Sequence, residues 1–288
     1  LNTMDASSKP IVAAINGTAF GGGLEVALCC HYRVIAPSAP VGLPEVKLGL
    51  LPGAGGTQRL PRLIGAAKAL DFMISGDPIP GPQAKALGIV DEVVEGDIVD
   101  GAIAYARDLI ANGSPIRRIR DEETVVAADR GNDDLFDNAR KNAARKMRKR
   151  FAPEMIVQCV EAAVNLGDFD AGIKVEQECF GKCLNHPQRE SLIHMFFAER
   201  EVAKIPDVPR DTATQEITSA AVIGCGTMGG AYLTFEEDRK GSLEEGKLAD
   251  MAVLSTDPLT CTEEEIKDIV ADITIVGGKV VYERNTKI

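Results

Sequence analysis

The sequence predicts an α/β fold, and three features near its start support this prediction. Residues 10–17 are a short apolar run that ends in an Asn-Gly turn, which is typical of a buried strand. Three glycines at 21–23 precede an apolar segment with helical spacing over residues 24–30. Residues 32–36 again have the pattern of a strand. Strands that alternate with helices through glycine-rich junctions indicate an α/β core.

The elements that follow are predicted to be mostly helical. Residues 37–44 are expected to form a loop, and residues 63–75 an apolar helix that ends at a Gly-Asp-Pro turn. Residues 101–112 have an amphipathic pattern, and further helices are predicted over residues 138–150 and 153–204. The middle of the chain is therefore expected to be a helical region.

The predicted helix over residues 138–150 is strongly basic. Its basic side chains either contact phosphate or form a solvated face, and the second interpretation is favoured because charge runs on helices usually lie at the surface. The seven bases are Arg140, Lys141, Arg145, Lys146, Arg148, Lys149 and Arg150.

The last part of the chain returns to strand patterns. Two prolines after residue 204 mark a linker, and residues 217–222 are predicted to form a strand that leads directly into a glycine-rich turn. From residue 231 onward the sequence is acidic and rich in β-formers, with a hairpin predicted around the Gly-Gly pair within residues 273–282.

Composition and charge limit the classes of function. With 45% hydrophobic and 26% charged residues, no membrane-length apolar run and no signal-like start, a globular cytoplasmic protein is expected. The formal charge of −11 argues against nucleic acid as a partner. Seven cysteines in such a chain favour reduced thiols. Residues 231–288 carry net −6 of the charge, a hint that this tail has a separate origin.

Two glutamates near the glycine run are the candidate catalytic residues. The N–H groups of residues 21–23 lie at a predicted helix start, where no helical carbonyl accepts them and the dipole favours negative charge. A glycine there also lets a ligand carbonyl approach a backbone N–H, as in an oxyanion hole. Glu25 falls in the first helical turn, as a partner of the dipole or a catalytic base, and Glu45 follows in a loop. Two such carboxylates could hold one water and move its protons.

Five motifs within residues 10–91 carry a resemblance to a known family. They are Ala14-Ile15-Asn16-Gly17, Gly21-Gly22-Gly23-Leu24-Glu25, Gly42-Leu43-Pro44-Glu45, Leu48-Gly49 and Pro52-Gly53-Ala54-Gly55-Gly56-Thr57-Gln58-Arg59-Leu60. Together they resemble the crotonase (enoyl-CoA hydratase) superfamily. The resemblance implies an α/β fold that contains a partial crotonase ββα spiral, with an acyl-CoA thioester as substrate and no required cofactor.

The resemblance also implies roles for three residues. Glu25 and Glu45 would activate the water that adds to a 2-trans-enoyl-CoA, one delivering hydroxide to Cβ and the other a proton to Cα. Gly22 would donate an oxyanion-hole N–H to the thioester carbonyl. Because members that isomerise or dehalogenate commonly lack one of the two acids, hydration is favoured over those reactions.

The crotonase resemblance begins part-way through that family's domain. A further stretch there precedes the equivalent of Lys9 and holds a second oxyanion donor and much of the CoA pocket. The sequence, which starts at Leu1, is therefore expected to be an N-terminally truncated core with impaired hydration. Either self-association into a homo-oligomer or rearrangement would cover the strand faces left open, and both alternatives stay open.

The resemblance continues to residue 230 and becomes more specific there. Residues 190–197 and 222–229 resemble bifunctional enzymes of fatty-acid β-oxidation that join an enoyl-CoA hydratase to a 3-hydroxyacyl-CoA dehydrogenase. A strand followed by a Gly-x-Gly-x-x-Gly turn is the start of a dinucleotide-binding motif. The segment after this turn is too short and charged for the helix that should follow, so NAD binding is not expected. The three glycines are Gly224, Gly226 and Gly229.

The tail resembles a different family. Residues 239–254 and 275–283 resemble the C-terminal end of metal-dependent amidohydrolases, whose metal ligands lie in a barrel that this sequence does not match. No His-x-His pair occurs, so the tail is predicted to be structural and no metal is expected. One metal-like spacing is better explained by core packing, because cysteines four residues apart on an apolar helix usually face the core. Its members are Cys179, Cys183, His186 and His194.

These observations divide the chain and leave three functions open. A crotonase-type hydratase is favoured, a hydrolase of small esters or thioesters with the same glycines and glutamates is the alternative, and a chain without catalytic activity is the third. Neither nucleic acid nor a membrane is expected as a partner. The predicted segments are a partial crotonase core (1–100), a helical region and linker (101–216), an incomplete dinucleotide motif (217–230) and a β-rich tail (231–288).

Overall fold

The computed structural model describes residues 1–202, 251–255, 268–276 and 279–284. Its first compact unit is Leu1–Asp207 and its second is Val208–Ile288. The predicted linker, the predicted strand before the glycine-rich turn and the turn itself lie outside the described residues. That turn contains Gly224, Gly226 and Gly229.

Helices dominate the first unit, and short strands occur in both units. The α-helices are α1 (Asn2–Asp5), α2 (Gly22–Cys29), α3 (Gly56–Ile64), α4 (Ala66–Ser75), α5 (Gly81–Leu87), α6 (Ile98–Ala111), α7 (Thr124–Ala127), α8 (Asp133–Lys146), α9 (Ala152–Asn165), α10 (Phe169–Leu184) and α11 (Pro187–Val202). The strands are β1 (Val12–Ile15), β2 (Ala19–Phe20), β3 (Tyr32–Ile35), β4 (Pro40–Gly42), β5 (Ile79–Pro80), β6 (Glu92–Val93), β7 (Met251–Leu254), β8 (Ala271–Val276) and β9 (Lys279–Glu283). Two 3-10 helices cover Pro44–Leu48 and Ile119–Asp121.

The strands of the first unit form two small sheets. One sheet has the order β1-β3-β6 and is parallel, and the other has the order β2-β4-β5, with β2 and β4 parallel. Along the chain, β1 and β3 enter the first sheet while β2 and β4 enter the second, and helices follow each pair. Each turn of the chain therefore adds one strand to each sheet, which is a ββα spiral, and the predicted α/β class is confirmed.

Two predicted elements of this unit are wrong in detail. Residues 37–44 do not form a loop throughout, because Val41 is buried and pairs with Ala19 on one side and Ile79 on the other. The single helix predicted over residues 63–75 is instead the end of α3 followed by α4. Gly65 separates them with a φ of +87°, a conformation that ends an α-helix and that glycine adopts without strain.

The other helical predictions hold with shifted ends. Helix α8 starts at Asp133, five residues earlier than predicted, because the Asn132 side chain accepts a hydrogen bond from the Leu135 N–H (3.3 Å) and caps it. The segment predicted as helical over residues 153–204 contains α9, α10 and α11. Gly167, with a φ of +64°, lies between the first two of these helices.

One continuous core holds the first unit together. Apolar side chains of α2, β3, α3, α4 and α9 meet in it, and α9 buries almost a whole face. By contrast, α2, β2 and α6 carry exposed large apolar side chains. These are Val26, Phe20, Val99, Ile103 and Ile110.

The second unit contains one antiparallel sheet of order β7-β8-β9 within the described residues. The predicted hairpin within residues 273–282 is confirmed as β8 and β9, which pair from Val276↔Lys279 outward. The register shifts by one residue between Thr274 and Ile275, so the two strands do not match residue for residue. The small β-rich C-terminal segment that the sequence predicts is therefore present.

A buried ion pair connects α1 to α3. The Asp5 carboxylate accepts a hydrogen bond from the Arg59 guanidinium, and both side chains are 2% exposed. The same guanidinium donates to the Ala54 carbonyl (3.3 Å) and lies 5.0 Å from the centre of the Phe169 ring. Arg59 therefore contacts α1, the loop before α3 and the start of α10.

We expect this ion pair to be important for stability. Replacing one partner leaves a buried charge without its counter-charge, so Asp5→Asn should lower the free energy of unfolding by about 3–5 kcal/mol. The exposed ion pair between Lys47 and Asp77 (2.7 Å) is the matched control. Asp77→Asn should lower the free energy of unfolding by at most about 1 kcal/mol. Urea denaturation of the three proteins measures both values, and equal losses in the two variants would contradict the expectation.

Candidate active site

Glu25 lies in the first turn of α2 with its side chain buried. Its Oε1 atom accepts hydrogen bonds from the Ala54 N–H (2.7 Å) and the Gly56 N–H (2.8 Å), in the loop that opens α3. Within the described residues, no hydrogen bond reaches the other oxygen, Oε2. One carboxylate oxygen is thus anchored to the protein, and the second is left to bind another group.

Glu45 lies next to the start of α2 without such an anchor. It belongs to the 3-10 helix Pro44–Leu48, and its Oε1 atom is so close to Gly21 that a Cβ there would lie only 2.9 Å away. The other oxygen, Oε2, is buried and has no hydrogen-bond partner among the described residues. Because buried polar atoms are normally paired, this atom marks a place for a ligand or a water.

A third glutamate, Glu176, approaches the same loop from α10. Its side chain is 1% exposed and accepts hydrogen bonds from the Gly55 N–H (2.8 Å), the Thr57 N–H (3.2 Å) and the Thr57 hydroxyl. No motif in the sequence points to this residue. A usable signal exists, because Glu176 falls within a buried stripe of α10 with helical spacing. The other members are Phe169, Gly172, Cys179 and Cys183.

Burial dominates the electrostatics of the three carboxylates. It raises the pKa of Glu45 to about 7, a hydrogen bond from the residue's own backbone N–H opposes it, and the charges of Glu25 and Glu176 add to it. It also raises the pKa of Glu176 to about 7, although hydrogen bonds from Thr57 and Gly55 oppose it. The pKa of Glu25 is raised by burial too, but the hydrogen bonds from Gly56 and Ala54 and the Arg59 charge lower it. Of the three, only Glu25 has a positive charge, that of Arg59, among the causes that lower its pKa.

The glycine run opens α2 as predicted, but the position that requires glycine is Gly21. It precedes the helix with a φ of +55°, and its N–H donates to the Gly42 carbonyl (2.9 Å). Gly22 is the first helical residue and is exposed, and a Cβ on it would meet no atom within 4 Å. Among the described residues, the Gly22 N–H has no acceptor. Its role as an oxyanion donor stays a prediction.

The four residues with a metal-like spacing, which the sequence analysis assigns to core packing, lie in different surroundings. Cys179 and Cys183 are buried in the core, the His186 ring stacks on Phe151 at 4.2 Å, and His194 is exposed. In the part of the chain that the structure describes, no group of three or more histidine, cysteine, aspartate or glutamate side chains could hold a metal ion.

The basic run has the surface position expected of a solvated face. Arg140 pairs with Glu161 (2.6 Å) and Glu154 (3.3 Å) on α9. The other six basic side chains between residues 141 and 150 are exposed.

Comparison with known proteins shows which families these segments match. Residues 1–129 match the model of the enoyl-CoA hydratase/isomerase family. The first part of the chain is crotonase-like. Residues 199–282 match the amidohydrolase family. Both resemblances that the sequence analysis describes are therefore found, and the crotonase-like match contains Glu25, Glu45 and the loop before α3.

Curated relatives match most of the chain. The peroxisomal bifunctional enzyme of Danio rerio is 39% identical over 271 residues, which cover 89% of this chain and 37% of the relative. The peroxisomal bifunctional enzyme of Homo sapiens is 40% identical over 244 residues, or 83% of this chain and 33% of the relative. This chain thus spans about a third of the length of these relatives.

Among solved structures, an enoyl-CoA hydratase from Mycobacterium avium subsp. paratuberculosis matches with a TM-score of 0.46 and 20% identity. The match covers 68% of this chain and 66% of the other chain.

The two resemblances cover overlapping parts of the sequence. The amidohydrolase match starts at residue 199, ahead of residue 231, where the sequence analysis places the start of the tail. The match to the Danio rerio enzyme covers 89% of this chain, which is more than the 230 residues that precede the tail. This match therefore includes part of the tail. Separately, none of the helices in the described residues is both long and apolar enough to cross a membrane.

A pair of glycine substitutions tests the start of α2. Gly21→Ala should lower the free energy of unfolding by about 1–3 kcal/mol, because alanine is strained at positive φ and its Cβ would press on the Glu45 carboxylate. Gly22→Ala should change it by less than about 1 kcal/mol, because the added Cβ meets open space. Urea denaturation measures both variants. Equal effects would show that the φ of Gly21 does not constrain this junction.

Glu45 should also make the stability depend on pH. Its pKa is raised from 4.5 to about 7, so the folded chain holds this proton more tightly than the unfolded chain does. The contribution of Glu45 to stability is therefore largest below about pH 4.5 and falls as the pH rises to 7. Between pH 5 and 8, the free energy of unfolding of Glu45→Gln should therefore fall by about 1–3 kcal/mol less than that of the wild-type chain.

Denaturation of the wild-type chain and of Glu45→Gln at a series of pH values measures this contribution. The exposed Glu190 supplies the control Glu190→Gln, whose pH dependence should match that of the wild-type chain. A Glu45→Gln curve parallel to the wild-type curve would mean that the Glu45 carboxyl titrates normally.

Proposed function

We propose that this chain adds water to the double bond of a 2-trans-enoyl-CoA and forms a 3-hydroxyacyl-CoA. The observation that carries the proposal is the arrangement at the start of α2. A carboxylate with one anchored and one free oxygen (Glu25) and a carboxyl with an unpaired buried oxygen (Glu45) lie beside an N–H group that lacks an acceptor (Gly22). Base, acid and oxyanion donor are the three groups that this reaction requires.

The different surroundings of the two glutamates suggest their roles. Glu25, whose carboxylate the loop N–H groups and the Arg59 charge stabilise, takes a proton from water through Oε2 while the water oxygen bonds to Cβ. Glu45, with a pKa of about 7, is protonated about half of the time at neutral pH and gives its proton to Cα. The π bond is lost, new C–O and C–H bonds form, and one water is consumed. Return of the proton from Glu25 to Glu45 completes the cycle.

The thioester carbonyl would lie against the N-terminus of α2. As hydroxide adds to Cβ, negative charge develops on the carbonyl oxygen, and the Gly22 N–H stabilises it together with the helix dipole. Water addition transfers no electrons, so the reaction needs neither NAD nor another cofactor.

The relatives favour a place for this reaction in fatty-acid metabolism. One of them, from Cucumis sativus, is described as a glyoxysomal fatty acid beta-oxidation multifunctional protein and is 38% identical over 236 residues. By analogy, we propose a fatty acyl-CoA thioester as the substrate. We also propose a homo-oligomer as the active form, because α2, β2 and α6 carry exposed large apolar side chains that self-association would cover. Gel filtration of the purified chain measures the oligomeric state, and the cytoplasmic location stays a prediction.

Crotonyl-CoA tests the proposed reaction directly. Loss of the conjugated enoyl thioester absorbance should follow enzyme concentration, and Glu25→Gln and Glu45→Gln should each lower kcat by about 10²–10⁴-fold, because each removes one proton-transfer group. Glu190→Gln, with its exposed side chain, should keep the wild-type rate.

A chromogenic ester distinguishes hydration from the alternative chemistry. Ester cleavage that Glu25→Gln abolishes, without hydration of crotonyl-CoA, would support a hydrolase instead. If the folded chain consumes neither crotonyl-CoA nor the ester, it has neither hydratase nor esterase activity.

A further inference from the structure

The loop that opens α3 presents four successive backbone N–H groups to two buried carboxylates. The Ala54 and Gly56 N–H groups donate to Glu25, whereas the Gly55 and Thr57 N–H groups donate to Glu176. The donors thus alternate between a glutamate of α2 and a glutamate of α10, which are 151 positions apart in the sequence. Each carboxylate therefore accepts two of the four N–H groups.

Close packing leaves this loop little freedom on the α10 side. A Cβ on Gly53 would lie 2.5 Å from the Phe180 ring, and one on Gly172 would lie 2.0 Å from Gln58 Oε1. At Gly55, which has a φ of +95°, it would lie 1.9 Å from Arg59 Nη1. Backbone and side chains meet here at distances that only glycine permits. Phe180, Gln58 and Arg59 make these contacts and Glu176 does not, so Glu176→Gln changes hydrogen bonds of the loop and leaves this packing in place.

We propose that Glu176 is a positioning residue for the hydration proposed above. It holds the Gly55 and Thr57 side of the loop, and through this loop it fixes the two N–H groups that anchor Glu25 Oε1. Anchoring of Oε1 leaves Oε2 of Glu25 directed to the reacting water. Glu176 touches neither water nor substrate in this scheme, and the part of the scheme that concerns catalysis rests on the proposed function.

Hydrogen exchange of the four loop amides, measured by NMR on the full chain, tests the positioning itself. Glu176→Gln should accelerate exchange at Gly55 and Thr57 and also, by at least about tenfold, at Ala54 and Gly56, which Glu176 does not touch. Amides of β3 serve as the reference for global stability and should be unchanged. Acceleration confined to Gly55 and Thr57 would overturn the proposal, because Glu25 would then keep its anchor without Glu176.

Kinetics with crotonyl-CoA give the second measurement. Glu176→Gln should lower kcat up to about 100-fold through misplacement of Glu25, while KM stays within about twofold because no substrate contact is lost. An unchanged kcat with accelerated exchange at all four amides would overturn the catalytic part. If the wild-type chain does not hydrate crotonyl-CoA but all four amides respond, the proposed function fails and the positioning of Glu25 stands.

Substitutions of Thr57 test the same positioning role if the Glu176→Gln variant does not fold. Thr57→Val keeps the shape of the side chain and removes the hydroxyl that donates to Glu176, whereas Thr57→Ser keeps the hydroxyl. Thr57→Val should accelerate exchange at Ala54 and Gly56 and lower kcat, and Thr57→Ser should restore both toward wild type. Equal behaviour of the two variants would contradict the positioning role.

Discussion

The buried start of α3 is the constraint on which the rest of the site depends. A helix begins with N–H groups that no helical carbonyl accepts, and burial excludes water as their partner. In this protein the loop from Ala54 to Thr57 offers such groups in the interior, and carboxylates of two other helices accept them. Glu25 and Glu176 are therefore buried for a structural reason as well as for a chemical one. The buried pair of Asp5 and Arg59 supports the same loop from α1.

The use of buried carboxylates as acceptors for the loop N–H groups brings negative charges close together. Glu25 and Glu176 bind the loop, Glu45 lies beside Gly21 where both of their charges act on it, and the Arg59 guanidinium is already paired with Asp5. Burial then raises the pKa of Glu45 and of Glu176 to about 7, so that neither is fully ionised at neutral pH. Such a cluster opposes folding when all its members are ionised, and shifts of this kind are found preferentially where proton transfer is the function. The electrostatic strain and the chemistry thus have a common origin in the buried loop.

The sequence predicted those parts of the structure that are encoded locally. Glu25 follows a glycine run, Glu45 is the last residue of a Leu-Pro-Glu motif, and the β8–β9 hairpin surrounds a Gly-Gly pair, so short motifs were sufficient to locate these features in the fold. Strand β4 was missed because its three residues are a strand only through pairing with β2 and β5. Glu176 was missed because its partners are about 120 positions away, and only the tertiary fold brings α10 to the loop.

The same loop also explains why two glutamates of one site can act differently. If burial alone decided their properties, Glu25, which is 3% exposed, would be the harder of the two to ionise, because Glu45 is less completely buried. Two N–H groups of the loop and the Arg59 charge oppose this effect by stabilising the Glu25 carboxylate, whereas Glu45 has a buried oxygen with no such partner among the described residues. The assignment of base and acid therefore depends on which carboxylate accepts hydrogen bonds from the backbone N–H groups at the start of α3.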